Sequence, residues 1–201
     1  MIRLYLVTDR RLVPDLISAV RAALLGLPPG VAAVQLREKD LPAVQLLDLA
    51  TRLLPICRAA SAPLLINDRV DVVRAAGADG VHLPAHGLPV AQARALLGPD
   101  RLVGASCHTP GEIAAAHRDG ADFALFGPVW DSPGKTAQGV AALQEAVRAS
   151  PLPVLAIGGV TADTASQATV AGAAGVACIR AVLGARDPGA AARDLYLAMT
   201  A

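Results

Sequence analysis

The residues best suited to chemistry stand at the ends of short apolar runs. In VQLREKD, Gln35, Arg37 and Lys39 occupy alternate positions. On a strand they share one face, while Leu36 and Glu38 take the other. A strand covered by helices is apolar on both faces, so three polar groups at its end point to a bound ligand, with a solvated loop as the alternative. A second run ends in Asn67-Asp68, which suits either a cap for the next helix or a catalytic pair. A third, GASCHT, offers Ser106 and His108. Thr109-Pro110 follows with Glu112 at capping-box spacing, so Thr109 reads as structural. His108 is left as a candidate proton carrier, because imidazole gives and takes protons near neutrality.

Two further stretches suit anions. FGPVWDSPGKTAQG is rich in Gly and Pro and holds one base, Lys135, as expected of a loop that closes over a negatively charged ligand. AIGGVTAD places Gly158-Gly159 directly before a helix start, where free amides and the positive helix end attract phosphate. Ile179-Arg180 could complete that cradle. The stretch DGVHLPAHGL is less expected, since no acid follows Asp79 where a phosphate-handling enzyme would place one.

These ends belong to a regular alternation. Eight strand-type runs (IRLYLV, VAAVQLR, PLLIN, DGVHL, RLVGAS, DFALF, PVLAIG and GVACI) are separated by Ala/Leu/Arg-rich helical stretches, about 25 residues per unit. Three helices end alike, in AAGADGV, RDGADFA and AGAAGVA, each stopping at Gly and passing at once into a strand. Eight such units predict a single (β/α)8 TIM barrel over 1–201, with an open doubly wound sheet as the rival. In a barrel the active site lies at the carboxyl ends of the strands, and loops after strands seven and eight commonly bind phosphate.

Composition narrows the function classes. The chain is 54% hydrophobic but only 2% aromatic, so its core must be aliphatic. A net charge of +1 without like-charge runs gives no case for nucleic acid or anionic membrane as partner. Cys57, Cys107 and Cys178 match no zinc spacing and read as buried thiols of a reducing, cytoplasmic protein. No apolar run approaches the roughly 20 residues of a membrane helix. Homo-oligomerisation is left open.

Taken together and in order, YLVTD, QLREKD, IND, DGVHL, GASCHT, FGPV with a downstream lysine, and AIGGV resemble the thiamine phosphate synthase and thiazole tautomerase superfamily along nearly the whole chain. The synthase joins a pyrimidine diphosphate to a thiazole phosphate and releases pyrophosphate with magnesium. The resemblance implies that Gln35, Arg37, Lys39, Asn67, Ser106 and Lys135 hold the pyrimidine and its diphosphate, and that Asp68 binds the metal. The tautomerase instead moves a proton within a carboxylated thiazole phosphate and needs no cofactor. There His108 would be the general acid/base, the amides of Gly158, Gly159 and the Ile179-Arg180 segment would hold the phosphate, and Arg37, Lys39 or Lys135 would pair with the carboxylate.

Two departures bear on the choice. The second metal-binding aspartate of the synthases falls at Gly87, and their TxTK lid becomes Ser132-Pro133-Gly134-Lys135. Magnesium prefers hard oxygen ligands, so the loss of a carboxylate and a lid hydroxyl favours the thiazole tautomerase (TenI-like) branch. PAHGL then reads as an apolar wall. The expectation is thus an isomerase without metal, acting on a small thiazole phosphate. The alternatives are the magnesium-dependent synthase, with Asp68 as ligand, and a non-catalytic thiazole- or thiamine-binding regulator.

Overall fold

In the computed structural model, which describes residues 1–200, the alternation closes on itself. Eight parallel strands form one barrel in sequential order, β1 (Leu4–Val7), β2 (Ala32–Leu36), β3 (Leu64–Asn67), β4 (Gly80–Leu83), β5 (Leu102–Cys107), β6 (Phe123–Phe126), β7 (Val154–Ile157) and β8 (Gly175–Cys178), with β8 pairing back onto β1. The open-sheet alternative is thereby excluded. Helices α1 (Leu16–Leu25), α2 (Ala43–Ala59), α3 (Val70–Ala76), α4 (Val90–Leu97), α5 (Pro110–Arg118), α6 (Val140–Ala149) and α7 (Ala162–Val170) follow the first seven strands, and α8 (Arg180–Leu183) and α9 (Pro188–Ala198) follow the eighth.

The shared helix stop has a physical basis. Gly77, Gly120 and Gly172 all adopt positive φ, which glycine reaches without a Cβ penalty. In two of the three turns the aspartate after Gly-Ala has a further task. Asp79 accepts the Leu64 amide at 2.8 Å and Asp122 accepts the Val103 amide at 2.7 Å, each tying the turn to a neighbouring strand.

Alternate strand residues divide two cores. Leu6, Val34, Ile66, Val81 and Val176 face outward into the helix layer. Tyr5, Ala33, Leu65, Phe123, Leu125 and Leu155 fill the barrel. The aliphatic expectation therefore holds for most of the outer layer, where Phe126 is buried and Trp130 packs against its edge, but not for the interior. Inside, Tyr5 and Phe123 meet edge to face with centroids 5.4 Å apart, and His82 stacks obliquely on both. These rings form the floor beneath the carboxyl-end mouth. Gly104 makes room for them: a Cβ there would overlap Phe123 Cζ and stand 2.7 Å from His82 Nδ1.

Candidate active site

The first side of the mouth is built on β2 and β3. Gln35 is buried inside the barrel, its amide donating to the Tyr5 hydroxyl at 3.4 Å. Beyond Leu36 the strand stops, so strict alternation does not carry all three polar groups onto one face. Arg37 stays half-buried beside the interior, whereas Lys39 is exposed and lines a cleft of about 280 Å³ with Asn67, Asp68 and Pro84. A buried clamp holds this segment: the Arg37 amide donates to Thr8 Oγ1 (2.9 Å), whose hydroxyl donates to Glu38 Oε1 (2.7 Å). Glu38 also accepts the Arg10 amide, and the Arg10 guanidinium reaches on to Asp40, holding that carboxyl down at about 2. Buried yet fully bonded, Glu38 is structural support.

Asn67-Asp68 does not cap α3. The cap position belongs to Arg69, and neither side chain bonds the helix. Asp68 instead adopts φ +59°, a strained conformation outside glycine that concentrates at functional sites. Among the described residues its carboxylate accepts only the Leu88 amide, at 3.4 Å, and has no cation within ion-pair distance. Gly87 lies against it so closely that a Cβ at that position would overlap Asp68 Oδ1. The missing side chain at Gly87 thus leaves room for the carboxylate of Asp68. PAHGL remains a wall, with Pro84 lining the cleft and His86 exposed.

The second side is made of backbone. Gly158 and Gly159 have φ +97° and +64°, and a Cβ on either would press on Pro128 or Trp130, 2.6 Å away. Only a bare backbone fits between β7 and the β6 loop. Thr161 caps α7 through a capping box, while the Gly159 and Val160 amides donate to no acceptor among the described residues. Ile179 leads into the short helix α8, and Arg180 is exposed. Arg11, and more weakly Arg180, lower the Asp9 carboxyl. Lys135 closes a tight turn in which its amide donates to the Ser132 carbonyl at 2.9 Å. Among the described residues Arg37, Lys39, Lys135 and Arg180 form no ion pair, a state they share with several arginines elsewhere, whereas Arg10, Arg11, Arg52, Arg69 and Arg94 are paired; what sets the four apart is their place at the strand ends.

Two histidines lie where residue type alone did not place them. His108 is at the rim, 44% exposed in its side chain, with Nδ1 3.4 Å from the Glu112 carboxylate, which also accepts the His108 amide. Thr109 is the cap of α5, as its spacing suggested. His82, on β4 just before that wall, is fully buried within the barrel, and its Nε2 lies 2.9 Å from Ser106 Oγ. Burial, aided by the Arg37 charge, pushes this imidazole down to about 3, so it is neutral at ordinary pH. The period-two pattern GVHL could have revealed it, since Gly80 and His82 share the interior face. Burial pushes the three cysteines up to about 12, as expected of inert thiols. No helix among the described residues is long and apolar enough to cross a membrane.

Comparison with known proteins decides between the two branches. The family described as thiamine monophosphate synthase matches residues 4–182. A putative thiamine-phosphate synthase of Geobacter sulfurreducens is 49% identical over 198 residues, covering 96% of this chain and 92% of the relative. The thiamine-phosphate synthase of Roseiflexus castenholzii is 45% identical over 95% of this chain and 85% of its own. Among solved structures, thiamine phosphate pyrophosphorylase from Pyrococcus furiosus superposes with a TM-score of 0.91 at 34% identity, covering 99% of this chain and 96% of that one. These relatives carry the synthase name, so the expectation of a tautomerase, and of an isomerase, is overturned. The role given to His108 rested on that reaction and goes with it. Gly87 and the altered lid misled because each was weighed as a loss, although a carboxylate and a lysine remain beside them. The matched residues and relatives establish that the chain belongs to the thiamine monophosphate synthase family.

Proposed function

We propose that the protein is a thiamine phosphate synthase, a transferase that joins a pyrimidine bearing a diphosphate ester to a thiazole phosphate. The observation that carries this reading is the set of four unpaired cations, Arg37, Lys39, Lys135 and Arg180, around one mouth. Cations left without carboxylate partners on one face suit substrates that bring several negative charges. In the reaction the carbon–oxygen bond to the diphosphate breaks, its electron pair leaves on the diphosphate, and the thiazole ring nitrogen forms the new bond to carbon. Arg37 and Lys39 stabilise the charge that grows on the leaving group, a contribution typically worth about 10² to 10³ in rate for one preorganised donor. Lys135, on the turn over the mouth, adds to this when the loop closes and excludes water.

Gln35, Asn67 and Ser106 hold the pyrimidine end, and the amides of Gly158, Gly159, Ile179 and Arg180 hold the thiazole phosphate. Magnesium fits the residues present. Its shell needs as few as one or two carboxylates when phosphate oxygens and water complete it, and Asp68 is a carboxylate free of cations at the cleft. Bound there, the ion would neutralise diphosphate charge. The test is thiamine phosphate formation from the two substrates with magnesium and with EDTA. Efficient, EDTA-sensitive synthesis is expected; thiazole isomerisation with no condensation would overturn the proposal.

A further inference from the structure

We propose that His82 is a positioning residue that donates from Nε2 to Ser106 Oγ and so aims the Ser106 hydroxyl proton outward, at an anionic or lone-pair acceptor in the mouth. The inference rests on the synthase reading for the identity of that acceptor, a diphosphate oxygen or a pyrimidine nitrogen, but its geometry stands independently. His82 is opposite Gly104 in the barrel, and Ser106 lies two residues further along β5, one interior layer nearer the mouth. The imidazole therefore sits beneath the serine, 2.9 Å from its oxygen. Tyr5 and Phe123 confine the ring on two sides, with centroids 5.6 and 6.0 Å away, so it cannot swing to another partner.

The direction of the bond follows from the other nitrogen. His82 Nδ1 is buried and has no hydrogen-bond partner among the described residues, facing the backbone at Gly104. A neutral imidazole carries one proton, on one nitrogen. An orphaned buried N–H is rarer than an under-satisfied acceptor. The proton therefore belongs on Nε2, where it makes a bond, and the bare lone pair on Nδ1. With its oxygen accepting from His82, Ser106 turns its own proton away from the floor. A phosphate oxygen can only accept, so a serine fixed as donor fits it, whereas the opposite tautomer would leave Ser106 pointing down.

The two parts of this proposal separate experimentally. The chain has four histidines, so ¹⁵N spectra of the intact protein resolve His82, identified by its loss in His82→Gln. A protonated Nε2 with a bare Nδ1 is expected; a proton on Nδ1 would overturn the proposal whatever the enzyme's activity. In steady-state synthesis, His82→Phe should lower kcat/KM for the pyrimidine diphosphate by about five- to tenfold, as befits one hydrogen bond. His82→Gln, whose amide can still donate, should restore most of it. Ser106→Ala with His82→Phe should be no worse than Ser106→Ala alone, because both remove the same proton donor. Losses that multiply would mean that His82 acts through packing, and would sink the idea. If the native chain makes no thiamine phosphate, the synthase reading fails, and the tautomer alone decides His82.

Discussion

The two sides of the mouth are built in opposite ways. The β2–β3 side presents side chains, Arg37, Lys39, Asn67 and Asp68, with charge supplied residue by residue. The β7–β8 side presents backbone, held open by Gly158 and Gly159 because a Cβ would strike Pro128 or Trp130. A side-chain wall can be tuned by substitution, one residue at a time, without collapsing. A backbone wall cannot be edited in the same way, since its donors are the chain and its shape depends on having nothing attached.

Removing a charge from the first side should therefore have the largest effect on catalysis and little on folding. Arg37→Ala is expected to lower kcat/KM for the pyrimidine diphosphate by about 10² to 10³, with KM for thiazole phosphate nearly unchanged. Steady-state kinetics with each substrate varied would show this, and equal damage to both would merge the two sides into one site. Gly159→Ala tests the opposite side. The added methyl meets Trp130 and the residue must hold positive φ, so unfolding free energy should fall by about 1–3 kcal/mol, and KM for thiazole phosphate should rise more than that for the diphosphate. Denaturant titration and the same kinetics decide it.

The floor shared by both sides gives a pH signature. His82 is neutral when folded, with its titration pushed from 6.5 to about 3, so between these values the unfolded chain binds a proton that the native state refuses. Stability must then fall as pH drops through that window, by up to about 1.4 kcal/mol per pH unit. Paired carboxylates such as Asp40 act in the same direction, but only lower, between 3.8 and about 2. The contribution of His82 is thus isolated between pH 4 and 6.5, where His82→Gln should flatten the melting curves; an unchanged slope would mean that the ring is protonated when folded. The smallest effect lies away from the mouth. Arg52→Ala removes an exposed pair with Asp48, two turns into the outer layer, and should cost no more than about 0.5 kcal/mol and leave kinetics unchanged.

Some of this was legible from the order of residues alone. Gly77, Gly120 and Gly172 marked three helix ends because only glycine passes cheaply through positive φ, and eight apolar runs between such stops sufficed for the barrel. Gly158-Gly159 before a helix, and the polar ends of β2, β3 and β5, located the mouth because in this fold the strand ends are the site. Other features depended on what packs against what. Nothing in IND says whether Asp68 caps a helix or stands free; the left-handed backbone at Asp68 and the cap at Arg69 decided that. Histidine types could not reveal that His82 is buried against aromatic rings while His108 pairs with Glu112 at the rim, since burial is a property of neighbours distant in sequence. Gly87 read as a missing ligand, and only the tertiary structure showed that its bare Cα is the room in which the Asp68 carboxylate sits.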